Sequence, residues 1–271
     1  MADPQHCRSG FRRDPGPAPV RVGNADIAPL SMEEVIEHVE SFLTSGAEPS
    51  PLLIFTANIQ HIAELRSSLD FRRAYAFAGL VVPDGWPVAA LVGRRHGRRQ
   101  QRVTGSDLLP ALCEMSSRAD HRVGFLGGRQ GSAPAAAQRM MEAWPALQVV
   151  LVEDAPRGFD LDTEKLQVVL ERVRRARPDV LFVGLGTPKQ ELFLAQNRTE
   201  LGARVAVGVG AAIDFAAGAV PRAPRVLRRL GLEWLYRIAH EPVRLFPRYV
   251  KAFGPFLAAA ARGDRAPVED P

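Results

Sequence analysis

Side chains that can do chemistry fall directly after short apolar runs of this sequence. Asp84 follows the run Leu80–Val82 and precedes a glycine. Its carboxylate is suited to act as a general base, or to cap the helix predicted to begin near Trp86. Thr56 and Asn58 flank the end of an earlier run, where Asn58 is also a good helix N-cap. Both positions therefore offer either a ligand contact or a local cap.

A glycine-rich loop at 127–131 follows another apolar run and opens a predicted helix. Glycines such as Gly127 and Gly128 let a backbone approach a phosphate, and a helix N-terminus favours negative charge. The spacing is GGxxG, which is neither the dinucleotide pattern GxGxxG nor a P-loop. The loop is thus a phosphate site or a tight turn between strand and helix.

The segment Gly186-Thr-Pro-Lys-Gln-Glu191 is the densest polar stretch. Pro188 fits the first position of a helix, so Lys189 and Gln190 would project from its first turn. This arrangement predicts either an exposed helix start or a ligand contact.

Two acidic residues, Asp160 and Asp162, form a D-x-D triplet of the kind that holds a divalent metal in many sugar-nucleotide transferases. The triplet also precedes a predicted helix, for which Asp162 is a good N-cap, and this structural interpretation is favoured. The six histidines lack metal-ligand spacing. A zinc site is therefore not expected.

The elements that position these residues are strands alternating with helices. This alternation is typical of βαβ units and predicts an α/β fold, a mostly parallel sheet with helices on both faces. Ligands bind at the carboxyl edge of such sheets, where all of the polar loops above would lie. The predicted strands are Leu52–Thr56, Leu80–Val82, Val123–Leu126, Val149–Val152, Val180–Val183 and Val205–Val209.

The predicted domains are a disordered tail at 1–20, an α/β body at 21–221, a basic helical appendage at 222–262 and a second tail at 263–271. Residues 222–271 hold ten Lys or Arg and five Asp or Glu, so they account for the whole net charge of +5. A basic, aromatic-rich appendage suits an anionic membrane surface, although a nucleic acid or a merely solvated helix face is also consistent with it.

Composition excludes several classes of protein. The 271 residues are 46% hydrophobic, which is too apolar for disorder, and two cysteines exclude a disulfide scaffold. The sequence shows neither a transmembrane run nor a signal peptide. We therefore expect a cytoplasmic protein whose membrane contact is made from the surface.

In combination, these segments resemble the WecG/TagA/CpsF family of bacterial glycosyltransferases. The resemblance runs from about Leu52 to Tyr249. The matching stretches are Thr56-x-Asn58, Asp84-Gly85, Arg102-Val103-x-Gly105-x-Asp107-Leu108, Gly127-Gly128, Pro178-Asp179-Val180, Gly186-x-Pro188-Lys189-Gln190-Glu191, Gly208-x-Gly210, Arg222-Ala223-Pro224, Glu233-Trp234-Leu235-Tyr236-Arg237, Glu241-Pro242, Arg244 and Arg248-Tyr249.

The resemblance implies a Rossmann-like fold and an inverting transfer of a sugar from a UDP-sugar to a polyprenyl-diphosphate-linked saccharide. The reaction would take place on the inner face of the bacterial plasma membrane, during assembly of teichoic acid, common antigen or exopolysaccharide. It implies no metal, no cofactor and no nucleic acid, and leaves a homo-oligomer open. Pro87 stands where many members have glycine, so the donor sugar stays open among N-acetylmannosamine, its uronic acid, glucose and glucuronic acid.

The resemblance also assigns roles. Asp84 would be the catalytic base, and the arginines of the appendage would hold the acceptor diphosphate. Residues expected around the donor and transition state are Thr56, Asn58, Arg102, Gly127, Gly128, Lys189 and Gln190. Residues expected at the acceptor diphosphate are Arg222, Arg237, Arg244 and Arg248.

Two alternatives compete with this interpretation. An NAD(P)-dependent oxidoreductase would need GxGxxG after the first strand, where this chain has Thr56-Ala57-Asn58. A non-catalytic nucleic-acid-binding protein would rely on the basic C-terminal segment and bind in a strongly salt-dependent way.

Overall fold

The structure is a computed structural model that describes residues 17–46, 50–155, 158–229 and 231–261. The side chains at positions 225, 229, 237 and 244 lie outside this description, as do most of the N-terminal tail and all of the C-terminal tail that the sequence predicts. Val20, the last residue of the predicted N-terminal tail, already begins a strand.

A six-stranded parallel sheet forms the centre of the molecule, and all six predicted strands are confirmed. The spatial order is β4-β3-β8-β7-β5-β6, and every neighbouring pair is parallel. A short antiparallel hairpin, β1 and β2, precedes the sheet and was not predicted. The bounds are β1 Val20–Val22, β2 Ala25–Ile27, β3 Leu52–Ala57, β4 Leu80–Pro83, β5 Arg122–Gly127, β6 Gln148–Glu153, β7 Val180–Gly184 and β8 Val205–Gly208.

Helices cover both faces of the sheet, as the Rossmann-like prediction requires. Their bounds are α1 Met32–Thr44, α2 Ile59–Ser67, α3 Leu69–Ala76, α4 Trp86–His96, α5 Gly105–Arg118, α6 Ser132–Ala143, α7 Thr163–Ala176, α8 Lys189–Gln196, α9 Ala212–Ala217, α10 Arg225–Arg229, α11 Glu233–His240 and α12 Pro242–Ala261.

Alternation along the strands divides the apolar side chains between two cores. In β7, Val180 and Phe182 join the core beneath α1, α5, α6 and α9, while Leu181 and Val183 join the core on the opposite face. Because successive side chains of a strand point to opposite faces, a continuously apolar run serves both cores. All neighbouring strands are parallel, so the loops that follow them emerge at one edge of the sheet.

Side-chain caps fix the starts of several helices, including the one that the sequence predicts after Asp162. The hydroxyl of Ser31 accepts a hydrogen bond from the amide of Glu34, and the Glu34 carboxylate accepts one from the amide of Ser31. Asp162 caps α7 by accepting from the amide of Lys165 over 3.2 Å. Asp162 is therefore the structural cap that the sequence analysis favours.

The basic C-terminal helices pack against the sheet domain. Ala252, Phe256 and Ala259 of α12 are buried in the same core as Ile62 of α2 and Val22 of the hairpin. A helical C-terminal segment is thus confirmed. Its independence as a domain stays a prediction, and the shared core means that its removal would uncover apolar side chains of the sheet domain.

Candidate active site

A cleft opens at the carboxyl edge of the sheet, where the loops after β3, β4, β5, β7 and β8 meet. It encloses about 1070 Å³ including its solvent-filled mouth. Six of the predicted site residues line it together, namely Thr56, Asn58, Asp84, Gly128, Gln190 and Arg248. The structure therefore brings together side chains that are up to 192 positions apart in the sequence, between residues 56 and 248.

Asp84 lies between β4 and α4, where it faces the cleft. Its backbone amide donates to the carbonyl oxygen of Ala57 over 2.8 Å, which ties the ends of β4 and β3 together. The N-cap of α4 is Gly85, with φ of 79° and no side-chain cap. The alternative in which Asp84 is the N-cap of this helix is therefore wrong.

Thr56 and Asn58 leave β3 side by side on the cleft wall. The buried Thr56 hydroxyl donates to the carbonyl oxygen of Gly208 over 3.3 Å. Asn58 caps α2, because its Oδ1 accepts from the amide of Gln60 over 2.9 Å. The predicted cap is confirmed, and the same residue also lines the cleft.

Two glycines at the end of β5 lie where a side chain would clash with neighbouring atoms. Gly127 and Gly128 have φ of 98° and 86°, in the left-handed region that favours glycine. A Cβ at position 127 would lie 2.9 Å from the carbonyl oxygen of Gly184, and one at position 128 would lie 3.0 Å from Ile213. Gly128 lines the cleft, whereas Gly127 is not among its lining residues.

Carboxylates of the chain occupy the positive end of α6. Asp154 accepts from the amides of Gly131 and Ala133 over 2.6 and 3.1 Å. Asp214 accepts from the amide of Arg129 over 2.7 Å. These donors are therefore bonded within the protein, which favours the tight-turn interpretation of this loop over a phosphate cradle.

Gln190 has its side-chain amide fixed at both ends. Its Nε2 donates to Oε1 of Glu191 over 2.7 Å, and its Oε1 accepts from the amide of Gly210 over 2.9 Å. Gln190 and Glu191 are 1% and 0% exposed. Burial raises the pKa of Glu191 to about 7.

A buried histidine continues this network. Nδ1 of His61 is hydrogen-bonded to the Tyr75 hydroxyl over 2.6 Å, and Nε2 to the hydroxyl of Thr187. Nε2 also lies 3.5 Å from Oε1 of Glu191. Burial lowers the pKa of His61 to about 3, so the imidazole is neutral at physiological pH. The pKa of Tyr75 is raised by burial, and further by the nearby charges of Glu191 and Asp84.

Besides Gly127, two predicted donor residues lie away from the cleft lining. Lys189 is exposed and pairs with Asp160 at 3.3 Å. Arg102 donates from Nη2 to the backbone carbonyl of Arg228. Arg102 thus contacts the C-terminal segment here, and its role toward a donor stays a prediction.

The predicted acceptor arginines have different environments. Arg248 lines the mouth of the cleft beside Leu245 and Tyr249. Arg222 is engaged by carboxylates instead, with Asp107 at 2.6 Å and Glu233 at 3.5 Å. For Arg237 and Arg244 the side chains lie outside the described residues, so their roles stay predictions.

The family comparison decides between the three hypotheses of the sequence analysis. The glycosyl transferase WecG/TagA/CpsF family matches this chain over residues 20–267. The chain belongs to this family. It is therefore a glycosyltransferase, and the family selects this hypothesis over the oxidoreductase and the nucleic-acid-binding protein.

Two curated relatives of this glycosyltransferase share one name with each other, N-acetylglucosaminyldiphosphoundecaprenol N-acetyl-beta-D-mannosaminyltransferase. The relative from Bacillus spizizenii is 28% identical over 237 residues, which cover 85% of this chain and 89% of the relative. The relative from Staphylococcus aureus is 26% identical over 221 residues, covering 81% and 84%. A solved periplasmic substrate-binding protein from Ralstonia solanacearum aligns with a TM-score of only 0.32 at 15% identity, covering 85% of this chain and 68% of that protein.

The glycosyltransferase cleft also holds residues that the sequence analysis did not single out. His61, Thr187, Arg129 and Asp214 all line it. Thr187 and Arg129 lie inside stretches that were recognised as polar loops. His61 and Asp214 lie within helical stretches, where a buried polar residue among apolar neighbours was the available signal.

The described residues form neither a metal-binding cluster nor a membrane-spanning helix. Within them, no three His, Cys, Asp or Glu side chains cluster closely enough to hold a metal ion. No helix in the same ranges has the length and apolarity needed to span a bilayer.

Proposed function

We propose that this enzyme transfers a sugar, with inversion, from a UDP-sugar to a polyprenyl-diphosphate-linked saccharide. The relatives support this assignment, because their name describes transfer of N-acetylmannosamine to a diphosphoundecaprenol-linked acceptor. Family membership over residues 20–267 extends the likeness to both the sheet domain and the C-terminal helices. The pathway we propose is assembly of a cell-surface polysaccharide.

The observation that carries the proposal is the position of Asp84. Asp84 lines the cleft and the N-cap of α4 is Gly85, so the fold places a carboxylate at the carboxyl edge of the sheet. In the proposed step this carboxylate takes the proton of an acceptor hydroxyl while that oxygen bonds to the anomeric carbon. The bond from the anomeric carbon to the phosphate oxygen breaks on the opposite face, and UDP leaves with the electron pair.

Polar residues around Asp84 form the proposed donor pocket. Thr56, Asn58 and Gln190 line the same cleft, and hydrogen bonds to the rest of the chain hold all three. Such pre-organised dipoles stabilise developing charge without reorganising during the reaction. Arg129 adds a cation at this wall, although Glu241 and Asp214 lie beside it.

The acceptor is proposed to enter beneath α12. Leu245, Arg248 and Tyr249 of this helix line the cleft opposite the strand ends. Arg248 is therefore the described arginine best placed for an acceptor diphosphate, since a guanidinium binds phosphate oxygens through two parallel hydrogen bonds.

An apolar stripe on the outer face of α12 supports contact with the inner face of the plasma membrane. Its members recur every three or four residues and are 51–91% exposed. Residues 222–251 also hold eight basic and two acidic side chains. An exposed apolar face with flanking cations suits an anionic interface. The stripe consists of Val243, Phe246, Val250, Phe253 and Leu257.

The proposal is tested by turnover on defined substrates. UDP-N-acetylmannosamine, its uronic acid analogue, UDP-glucose and UDP-glucuronic acid would each be offered with a short-chain lipid-diphosphate-N-acetylglucosamine. We expect transfer from one donor, and a product whose anomeric configuration by NMR is opposite to that of the donor. Retention of configuration would refute the single-displacement step, and absence of transfer from every donor would refute the proposed function.

A further inference from the structure

We propose that Glu191 is a positioning residue for sugar transfer, which holds the carboxamide of Gln190 in one orientation at the floor of the cleft. The inference rests on the proposed function and adds to it a residue that does not itself line the cleft. Gln190 lines the cleft, whereas Glu191 lies directly behind it and is 0% exposed.

The geometry leaves the Gln190 amide a single orientation. Nε2 faces an acceptor, Oε1 of Glu191, and Oε1 faces a donor, the Gly210 amide. A flip of the amide would bring oxygen to oxygen and nitrogen to nitrogen, so each contact excludes it. The strand end also makes room for this amide, because a Cβ at position 208 would lie 3.0 Å from Nε2.

Further hydrogen bonds hold Glu191 itself in place. The Thr187 hydroxyl lies 3.5 Å from Oε1 of Glu191, within reach to donate, and it is also bonded to His61. The Tyr75 hydroxyl holds the other ring nitrogen of His61. Tyr75 packs against Phe71 and Phe55, with ring centroids 5.0 and 5.2 Å apart. Three elements, α2, α3 and the β7–α8 loop, thus support one carboxylate.

Stability alone does not account for a carboxylate in this place. Burying a carboxylate is unfavourable unless its partners compensate, and well-packed apolar replacements of buried ionic groups are often neutral or stabilising. Oε2 of Glu191 has no hydrogen-bond partner among the described residues, so the burial is incompletely compensated. Perturbed and under-satisfied groups beside a cleft are characteristic of functional sites.

The first test compares three substitutions of Glu191. Glu191→Gln keeps an acceptor oxygen at the same reach, so we expect kcat/KM within about 3-fold of wild type. Glu191→Met removes the acceptor at similar volume, and Glu191→Asp withdraws it by one methylene. Both should lower kcat/KM by about 10–100-fold, the scale of a misplaced catalytic environment. Glu191→Met should do so without lowering the melting temperature.

The second test is a double-mutant cycle with Gln190→Ala. If Glu191 acts through Gln190, then Glu191→Met or Glu191→Asp should change kcat/KM by less than about 2-fold once Gln190 is absent. The same loss in both backgrounds, or full activity of the Met and Asp variants, would overturn the proposal. If Glu191→Met does not fold, the double-mutant cycle is measured with Glu191→Asp instead.

The two proposals fail in different ways. A wild-type protein without transfer activity would refute the proposed function. In that case, UDP-sugar affinity measured by calorimetry on the four proteins of the cycle still decides whether Glu191 and Gln190 are coupled. An active wild type with additive effects would refute only the positioning role.

Discussion

Arg222 donates from Nη2 to Oδ1 of Asp107 over 2.6 Å and thereby fastens the start of the C-terminal segment to the first turn of α5. Asp107 is itself held by the hydroxyl of Thr104, the N-cap of that helix, over 2.8 Å. A guanidinium predicted to bind a diphosphate is thus already engaged by carboxylates, including Glu233. Either the acceptor competes for Arg222, or Arg222 positions the segment.

Substitution of each partner separates these two roles. If Arg222 binds the acceptor, Arg222→Ala should raise the KM for the lipid-linked acceptor about 10-fold or more, whereas Asp107→Asn should change it less than about 3-fold. Both should cost on the order of 1 kcal/mol or less in stability, because the Asp107 side chain is 42% exposed. Equal kinetic losses in the two variants would assign Arg222 a structural role.

Asp84→Asn should keep the fold and UDP binding while transfer falls by about 10²–10⁴-fold. The side chains are nearly isosteric, and Gly85 rather than Asp84 occupies the N-cap, so stability should change little. Steady-state transfer and UDP calorimetry measure the two properties separately. Asp70→Asn, at an exposed position of α3, is the matched control. Turnover at the wild-type rate would rule out Asp84 as the base.

Transfer should persist in EDTA. The Asp162 carboxylate caps α7, and the Asp160 carboxylate pairs with Lys189. Both acidic side chains of the triplet are therefore bonded within the protein. The measurement is the initial rate before and after exhaustive chelation. A loss that magnesium or manganese restores would revive the metal interpretation, and Asp160→Asn would then identify the ligand.

The apolar stripe of α12 should be needed for membrane binding but not for donor binding. Phe246→Ser combined with Phe253→Ser should reduce co-sedimentation with anionic vesicles by about 10-fold or more, since each aromatic ring loses interfacial burial. UDP affinity should stay within 2-fold, because neither residue lines the cleft. Val168→Ser, at a 52% exposed apolar position of α7, is the control.

Salt provides a second criterion for the same interface. Binding of the wild-type protein to anionic vesicles should weaken between low salt and 1 M salt, where the Debye length falls to about 3 Å. Vesicle binding by the serine variant equal to that of wild type would show that another surface makes the contact. Point substitutions are preferable to truncation here, because α12 also contributes Phe256 to the core.

The free energy of unfolding should depend on pH through two buried groups whose effects run in opposite directions. The folded pKa of Glu191, about 7, lies above its ordinary value of 4.5, so the folded state loses stability as the pH rises through this window. The folded pKa of His61, about 3, lies below its ordinary value of 6.5, so stability is lost as the pH falls from 6.5 toward 3.

Glu191→Gln isolates the first of these contributions. The variant should be more stable than wild type by about 1–3 kcal/mol at pH 8, and this difference should shrink toward pH 4.5. Denaturant unfolding at several pH values measures it, with Glu40→Gln on the exposed side of α1 as the control. A difference that does not change with pH would contradict burial of an ionisable Glu191.

The local features of this protein were determined by the sequence alone. Six apolar runs alternating with helical patterns specified six strands, because a strand buried on both faces must be apolar throughout. The caps at Asn58 and Asp162 were readable because each bonds an amide two or three residues away. The same reasoning placed the polar loops at one sheet edge, since parallel strands end on the same side.

Contacts between distant segments were decided only by the tertiary structure. His61 contacts Thr187 across 126 positions, and Arg102 contacts the Arg228 carbonyl across an equal separation of 126 positions. An apolar run indicates a strand but not its neighbours, so the position of β8 between β3 and β7 was not available from periodicity. The protonation state of a buried group such as Glu191 depends on which side chains exclude water from it. Those side chains come together only when the chain folds.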